Sequence, residues 1–121
     1  MEQQSADRMS WRSVCPIASG LDVVGDKWSL VIVRDLLEHE TRTYSEFLAS
    51  PEGISTNILA ARLKWLTTIG ILEHVEPGRA ARNNAYRLTA SGLALRPVLE
   101  ALGRWSQTYL HERHPDMVSF L

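Results

Sequence analysis

The chain has 121 residues and one cysteine, Cys15. A single thiol excludes a disulfide within the chain and a metal site built from several cysteines. Long hydrophobic runs are also missing. The longest aliphatic stretch, Leu30-Val31-Ile32-Val33, is far too short to span a bilayer. The opening residues, MEQQSADRMS, are polar and hold no hydrophobic segment of a secretory signal. No glycine-rich phosphate loop occurs, and no nucleophile, base and orienting group form a recognisable catalytic set. His111 and His114 share a helix face, but two ligands fall short of a usual zinc site, and His39 and His74 are isolated. The expectation is a soluble, cytoplasmic protein that is not an enzyme and uses neither metal nor cofactor.

What is present suggests one domain with a modest core, a size at which oligomerisation often adds stability. Net charge is −1, but it is unevenly spread. Residues 1–53 carry five Lys/Arg against nine Asp/Glu, whereas residues 54–96 carry six against two. A basic middle in a mildly acidic chain is an electrostatic footprint of the kind nucleic acids select, although a plain solvated face has the same composition.

Residues 1–10 read as a flexible arm, 11–112 as the domain and 113–121 as a tail. Pro16 suits the start of a helix that runs to about Val24. Gly25 stops it, and Asp26 caps a second helix, roughly Lys27 to Glu38, that is apolar on most sides and therefore buried. Thr41 to Thr43 suits a brief strand, and Thr43 with Glu46 forms a capping box for a short third helix. Ser50-Pro51-Glu52-Gly53 is turn chemistry, and a fourth helix spans about Ser55 to Ile69. Strands from Ile71 to Glu76 and from Ala85 to Leu88 then flank a loop, and Thr89 or Ser91 caps a last, long helix. The order helix, turn, helix, then a short ribbon leads us to expect a mainly α fold with a small β-wing, a winged helix-turn-helix, ending in a long C-terminal helix expected to serve dimerisation.

On the fourth helix, Leu59, Leu63 and Leu66 make a core seam, widened by Ile58, Trp65 and Ile69. The opposite face holds Asn57, Ala61, Lys64 and Thr68, with Ala60 beside them. Small side chains let a helix approach base edges, Asn57 can pair with adenine, and Lys64 can reach a base or phosphate. Thr56 and Asn57 lie in the first turn, the end that usually meets bases in a helix-turn-helix. Ser55 and Arg42 are expected to hold the phosphate backbone. A capped amphipathic helix with alanines outside needs no DNA to explain it, so the flanking elements carry the weight. One of them is the loop from Pro77 to Asn84, which holds Arg79 and Arg82 and no acid. A basic hairpin tip beside such a helix is a wing suited to the minor groove. Arg62, at the flank of the seam, is expected to pair with an acid instead.

In the last helix Leu95, Val98, Leu102, Trp105 and Tyr109 follow coiled-coil-like spacing, which points to a homodimer. Pro97 predicts a kink near Leu93 to Pro97. Two recognition helices in a dimer call for a near-palindromic operator in double-stranded DNA. An apolar cavity between the first and last helices is a candidate place for a small effector. Cys15, at a helix start, is a candidate redox residue, although a lone cysteine is more often a small apolar one.

These residues resemble the HxlR-type winged helix-turn-helix transcriptional regulators of bacteria. The resemblance runs over about residues 14–110. It is carried by Cys15-Pro16-Ile17, Leu21-Asp22-Val23-Val24-Gly25-Asp26-Lys27-Trp28, Leu36-Leu37 and Gly53-Ile54-Ser55, and by Arg62-Leu63-Lys64-Trp65-Leu66, Gly70-Ile71-Leu72, Tyr86-Arg87-Leu88-Thr89 and Gly92. It implies a DNA-binding homodimer that represses or activates, with dimer contacts from the first and last helices. It also implies a recognition helix over residues 55–68 and a wing tip over 79–84. Some members sense oxidants or electrophiles through a cysteine near the N-terminus, where Cys15 stands. The wing departs from the pattern, being rich in Gly and Ala where many members have prolines. With no second cysteine, oxidation would have to join two subunits or add a small thiol. The rival reading of another class is a winged-helix module that dimerises without binding DNA.

Overall fold

The computed structural model describes residues 9–80 and 83–119. Most of the expected N-terminal arm, and Arg82 of the wing, lie outside the described residues. The helices are α1 (Pro16–Val24), α2 (Ser29–His39), α3 (Tyr44–Leu48), α4 (Thr56–Thr68), α5 (Ala90–Leu93) and α6 (Arg96–Tyr109). Three short strands, β1 (Arg42–Thr43), β2 (Leu72–His74) and β3 (Ala85–Leu88), form an antiparallel sheet in the order β1-β3-β2. The expected two-stranded ribbon is thus three-stranded: Arg42 pairs with Tyr86 and Thr43 with Ala85. This clasps the helix-turn-helix to the wing.

Local chemistry explains most boundaries. Asp26 accepts from the N–H groups of Trp28 and Ser29, both at 3.0 Å, and from the Ser29 hydroxyl at 2.5 Å. It caps α2 although the regular helix begins only at Ser29, later than expected. Thr43 and Glu46 exchange both bonds of a capping box, so α3 forms despite its five residues. Ser55 accepts from the Ile58 N–H and starts α4. Gly70, at φ 85°, ends it: its N–H reaches the Thr67 carbonyl and the Ile71 N–H reaches that of Leu66. Thr89 caps α5 by accepting from the Gly92 N–H.

The long last helix is not continuous. Residues 94 and 95 break it, and Pro97 lies in the first turn of α6 rather than in a helix interior. There its missing N–H has no hydrogen bond to lose, so a clean break replaces the expected kink. Gly92 sits where a Cβ would come within 2.4 Å of the Ile71 carbonyl oxygen, so only glycine lets α5 pack this closely on the strand region.

The core is Ile32, Val33 and Leu36 of α2, Phe47 of α3, the Leu59-Leu63-Leu66 seam of α4, Leu72 and Leu88 of the sheet, and Leu99 of α6. Truncating one such leucine to alanine costs about 2–5 kcal/mol. Ile58 is a correction: it is 41% exposed and stands outside the seam it was expected to widen.

α2 also buries a charge. Asp35, 4% exposed, accepts from the Ser50 hydroxyl and pairs with Arg34 at 2.8 Å and Arg42 at 3.4 Å. Arg34 in turn pairs with Glu52 at 2.6 Å. A buried carboxylate needs such partners. Here they tie α2 to β1 and to the turn before α4. After α6 the chain turns back, and the Gln107 amide donates to the Val118 carbonyl at 3.3 Å, so the tail lies against α6.

Candidate nucleic-acid interface

α4 is held on three sides. The Tyr44 hydroxyl of α3 donates to the Thr56 carbonyl at 3.0 Å and fixes the first turn. The Trp65 indole N–H donates to the Val23 carbonyl at the end of α1, at 2.9 Å. Arg62 pairs with Asp26 at 3.5 Å, as its flanking position suggested. Burial alone would push the Asp26 carboxyl up. Hydrogen bonds from the Ser29 hydroxyl and the Trp28 and Ser29 N–H groups, with the charge of Arg62, outweigh burial and hold it below the usual carboxylate value.

The free face then consists of Thr56, Asn57, Ala60, Ala61, Lys64 and Thr68, all exposed. Lys64 has no acid partner or side-chain hydrogen bond among the described residues. Ser55 is exposed at the N-cap, and its hydroxyl is already engaged by Ile58. Arg42 is placed differently from what its sequence position suggested. Its side chain is 18% exposed, and its guanidinium lies on Asp35 and the Ser50 hydroxyl.

The wing is organised by Asn84, which is 1% exposed. Its side-chain carbonyl accepts from the Glu76 N–H, and its amide donates to the Glu76 and Arg79 carbonyls. Asn84 thereby closes the hairpin, a role the sequence marked only as the end of a loop. Arg79 is exposed and rests against Glu76. On the strands, Arg87 and Glu73 face each other and pair at 2.8 Å. His74 and Tyr86 also pair in register, with ring centroids 4.6 Å apart. Burial pushes the Tyr86 phenol up, so it stays neutral.

A second exposed face lies elsewhere. Val98, Leu102, Trp105 and Tyr109 of α6 are exposed, with Trp105 at 53%. Leu95, expected to share this seam, packs instead against the molecule's own core. Val14, Ile17 and Leu21 around α1 are exposed as well, and so is the Cys15 thiol. The Cys15 N–H donates to the Ser13 hydroxyl at 3.2 Å. His111 and His114 lie exposed in the turns after α6.

The family model for HxlR-like helix-turn-helix proteins matches residues 23–114. The chain belongs to this family. The HxlR-like chain is 32% identical over 99 residues to an HTH-type transcriptional regulator of Synechocystis, covering 82% of this chain and 73% of that one. Among solved structures it is similar to PA1607, a candidate transcription factor, at 44% identity with a TM-score of 0.70 over 81% of this chain and 67% of that one. It is also similar to the reduced form of the transcriptional regulator YodB from Bacillus subtilis, at 26% identity with a TM-score of 0.65 over 80% of this chain and 95% of that one. YodB has also been solved with quinone bound. This HxlR-like protein is accordingly a transcriptional regulator of winged-helix type, not a member of an enzyme family. No helix among the described residues is long and apolar enough to cross a membrane.

Proposed function

We propose that the protein is a cytoplasmic homodimer that binds a near-palindromic operator in double-stranded DNA. The observation that carries this reading is the outer face of α4. Thr56, Asn57, Ala60, Ala61 and Thr68 are small and polar or bare, and Lys64 lies among them without an acid partner. In the major groove, Asn57 reads a base edge and Lys64 meets a base or phosphate. Thr56 sits at the helix start, where free N–H groups favour a phosphate. Arg79, joined by Arg82, follows the minor groove or its phosphates once DNA draws it from Glu76. Ser55 adds a backbone contact. Arg42 serves this reading from behind, by fixing the turn before α4 through Asp35 and Ser50.

The exposed apolar faces of α1 and α6 support dimerisation, because water-facing Trp105, Leu102, Val98 and Tyr109 gain about 25 cal/mol per Å² when covered. The exposed Cys15 thiol beside α1 supports a response to oxidants, through a disulfide between subunits or a mixed disulfide with a small thiol.

Fluorescence anisotropy on the intergenic DNA beside its own gene, against a scrambled duplex, tests the reading. A salt series and a thiol oxidant complete it. Preferred binding to the natural DNA that weakens steeply with salt is expected. A change on oxidation that Cys15→Ser abolishes is expected for the thiol. No binding to any duplex, including a random pool at low salt in either redox state, would leave a dimerising protein-interaction module as the better account.

A further inference from the structure

A groove of about 450 Å³ lies between α4 and the wing, bounded also by α3. Its volume falls in the range of small-molecule sites, about 300–1,000 Å³. Tyr44, His74 and Tyr86 give it aromatic walls, Ala60 and Leu63 an aliphatic one, and Lys64 a charge at its side. No carboxylate lines it. The cations nearby differ sharply: Arg62 is held by Asp26 and Arg87 by Glu73, while Lys64 has no such partner. The His74 and Tyr86 rings lie 4.6 Å apart and tilted by 40°, with half-buried His74 the more open of the two and Tyr86 largely covered. His74 Nδ1, in the same wall, is shut off from water and lacks any hydrogen-bond partner.

We propose that the groove between α4 and the wing binds a small planar aromatic anion of one or two rings, stacked near His74 and Tyr86 with its charge on Lys64. Size, aromatic walls and an unpaired cation without any facing acid select that class. A neutral aromatic would forgo the charge, and an aromatic cation would meet Lys64 as a repulsive neighbour. The site rests on the DNA-binding reading only for its consequence. Lys64 cannot serve a ligand anion and DNA together, so an occupied groove weakens DNA binding.

The binding itself is tested without DNA. Benzoate, 2-naphthoate and indole-3-acetate are titrated into isotope-labelled full-length protein up to about 10 mM, well above a millimolar dissociation constant. Aromatic and methyl NMR signals are followed. Saturable shifts at Thr67, His74 and Tyr86 are expected for at least one acid. Ala60→Phe, at an exposed helix position, fills the groove and is expected to remove them while the rest of the spectrum stays native. Lys64→Met is expected to weaken the acid about tenfold, the loss of one charge-assisted contact, and leave the matching neutral alcohol unchanged. No saturable shift with any acid, or shifts that survive Ala60→Phe, would overturn the proposal. Because DNA is absent, either result leaves the proposed DNA binding to its own test.

Discussion

α4 and α6 are alike in length and in burying one face, yet their other faces are opposites. α4 shows the solvent alanines, threonines, one asparagine and one lysine, with Ile58 as its one large apolar exception. α6 shows it a valine, a leucine, a tryptophan and a tyrosine. Water-facing small polar residues need no cover, and they leave room for a hydrated polyanion. Water-facing large apolar residues at helical spacing mark a surface that association would bury. One chain thus carries two free faces suited to two different partners. A comparable difference separates the cations. Arg12, Arg34, Arg42, Arg62, Arg79 and Arg87 pair with acids, while Lys64, like Lys27, Arg96, Arg104 and Arg113, has no acid partner among the described residues, and on α4 it stands beside the paired Arg62.

The sharpest way to break the contrast is to make α6 resemble α4. Trp105→Glu places a charge at the centre of the apolar face of each subunit. Dimer affinity is expected to fall by at least ~2 kcal/mol, seen as a shift to monomer in sedimentation velocity. The circular dichroism spectrum should stay native, since Trp105 is exposed. Next in size, Asn57→Ala is expected to cost about 1–3 kcal/mol on the preferred duplex and little on scrambled DNA. Equal losses on both duplexes would remove its reading role.

The joint beneath α4 comes third. Asp26→Asn weakens the cap of α2 and the pair with Arg62, with an expected loss of about 1–2 kcal/mol in denaturant unfolding at neutral pH. Asp26 is held below its usual 3.8 and Glu52, through its hydrogen bond from Arg34, below its usual 4.5. A carboxylate lowered on folding stabilises fully above its unfolded value and stops doing so as pH falls through its folded value. Stability should therefore decline below about pH 4–5, and Asp26→Asn should flatten that decline. The smallest effect concerns the wing. Arg79→Ala is expected to weaken binding to all sequences and reduce the salt slope by about one. Glu76→Gln should strengthen binding by less than ~1 kcal/mol, because an exposed ion pair competes only weakly.

Much of α4 was legible in the chain because its signals are local: Ser55 before it, Leu59, Leu63 and Leu66 within it, Gly70 after it. The capping box of α3 and the exposed spacing of Val98, Leu102, Trp105 and Tyr109 were legible for the same reason. What escaped depends on tertiary partners. β1 has two residues and no periodicity, so its pairing with β3 left no trace in the sequence. Ile58 is apolar by type yet exposed by position. Asp35 did leave a signal, an acid next to the apolar run Leu30 to Val33 of the helix expected to be buried, which calls for partners that only the fold reveals as Arg34, Arg42 and Ser50. The groove at His74 and Tyr86 joins residues of the wing to residues of α3 and α4, and no single segment announces it.

The hydrogen bond from Trp65 to the Val23 carbonyl acts as a ruler. It fastens α4 to the end of α1, the helix whose exposed residues adjoin the proposed subunit contact. In a two-fold dimer such a fastening fixes the distance from the symmetry axis to each α4, and with it the number of base pairs allowed between half-sites. Trp65→Phe keeps the ring and removes the N–H. Operators lengthened or shortened by one base pair should then be penalised less than they are for the unaltered protein, with the ideal spacing itself little changed.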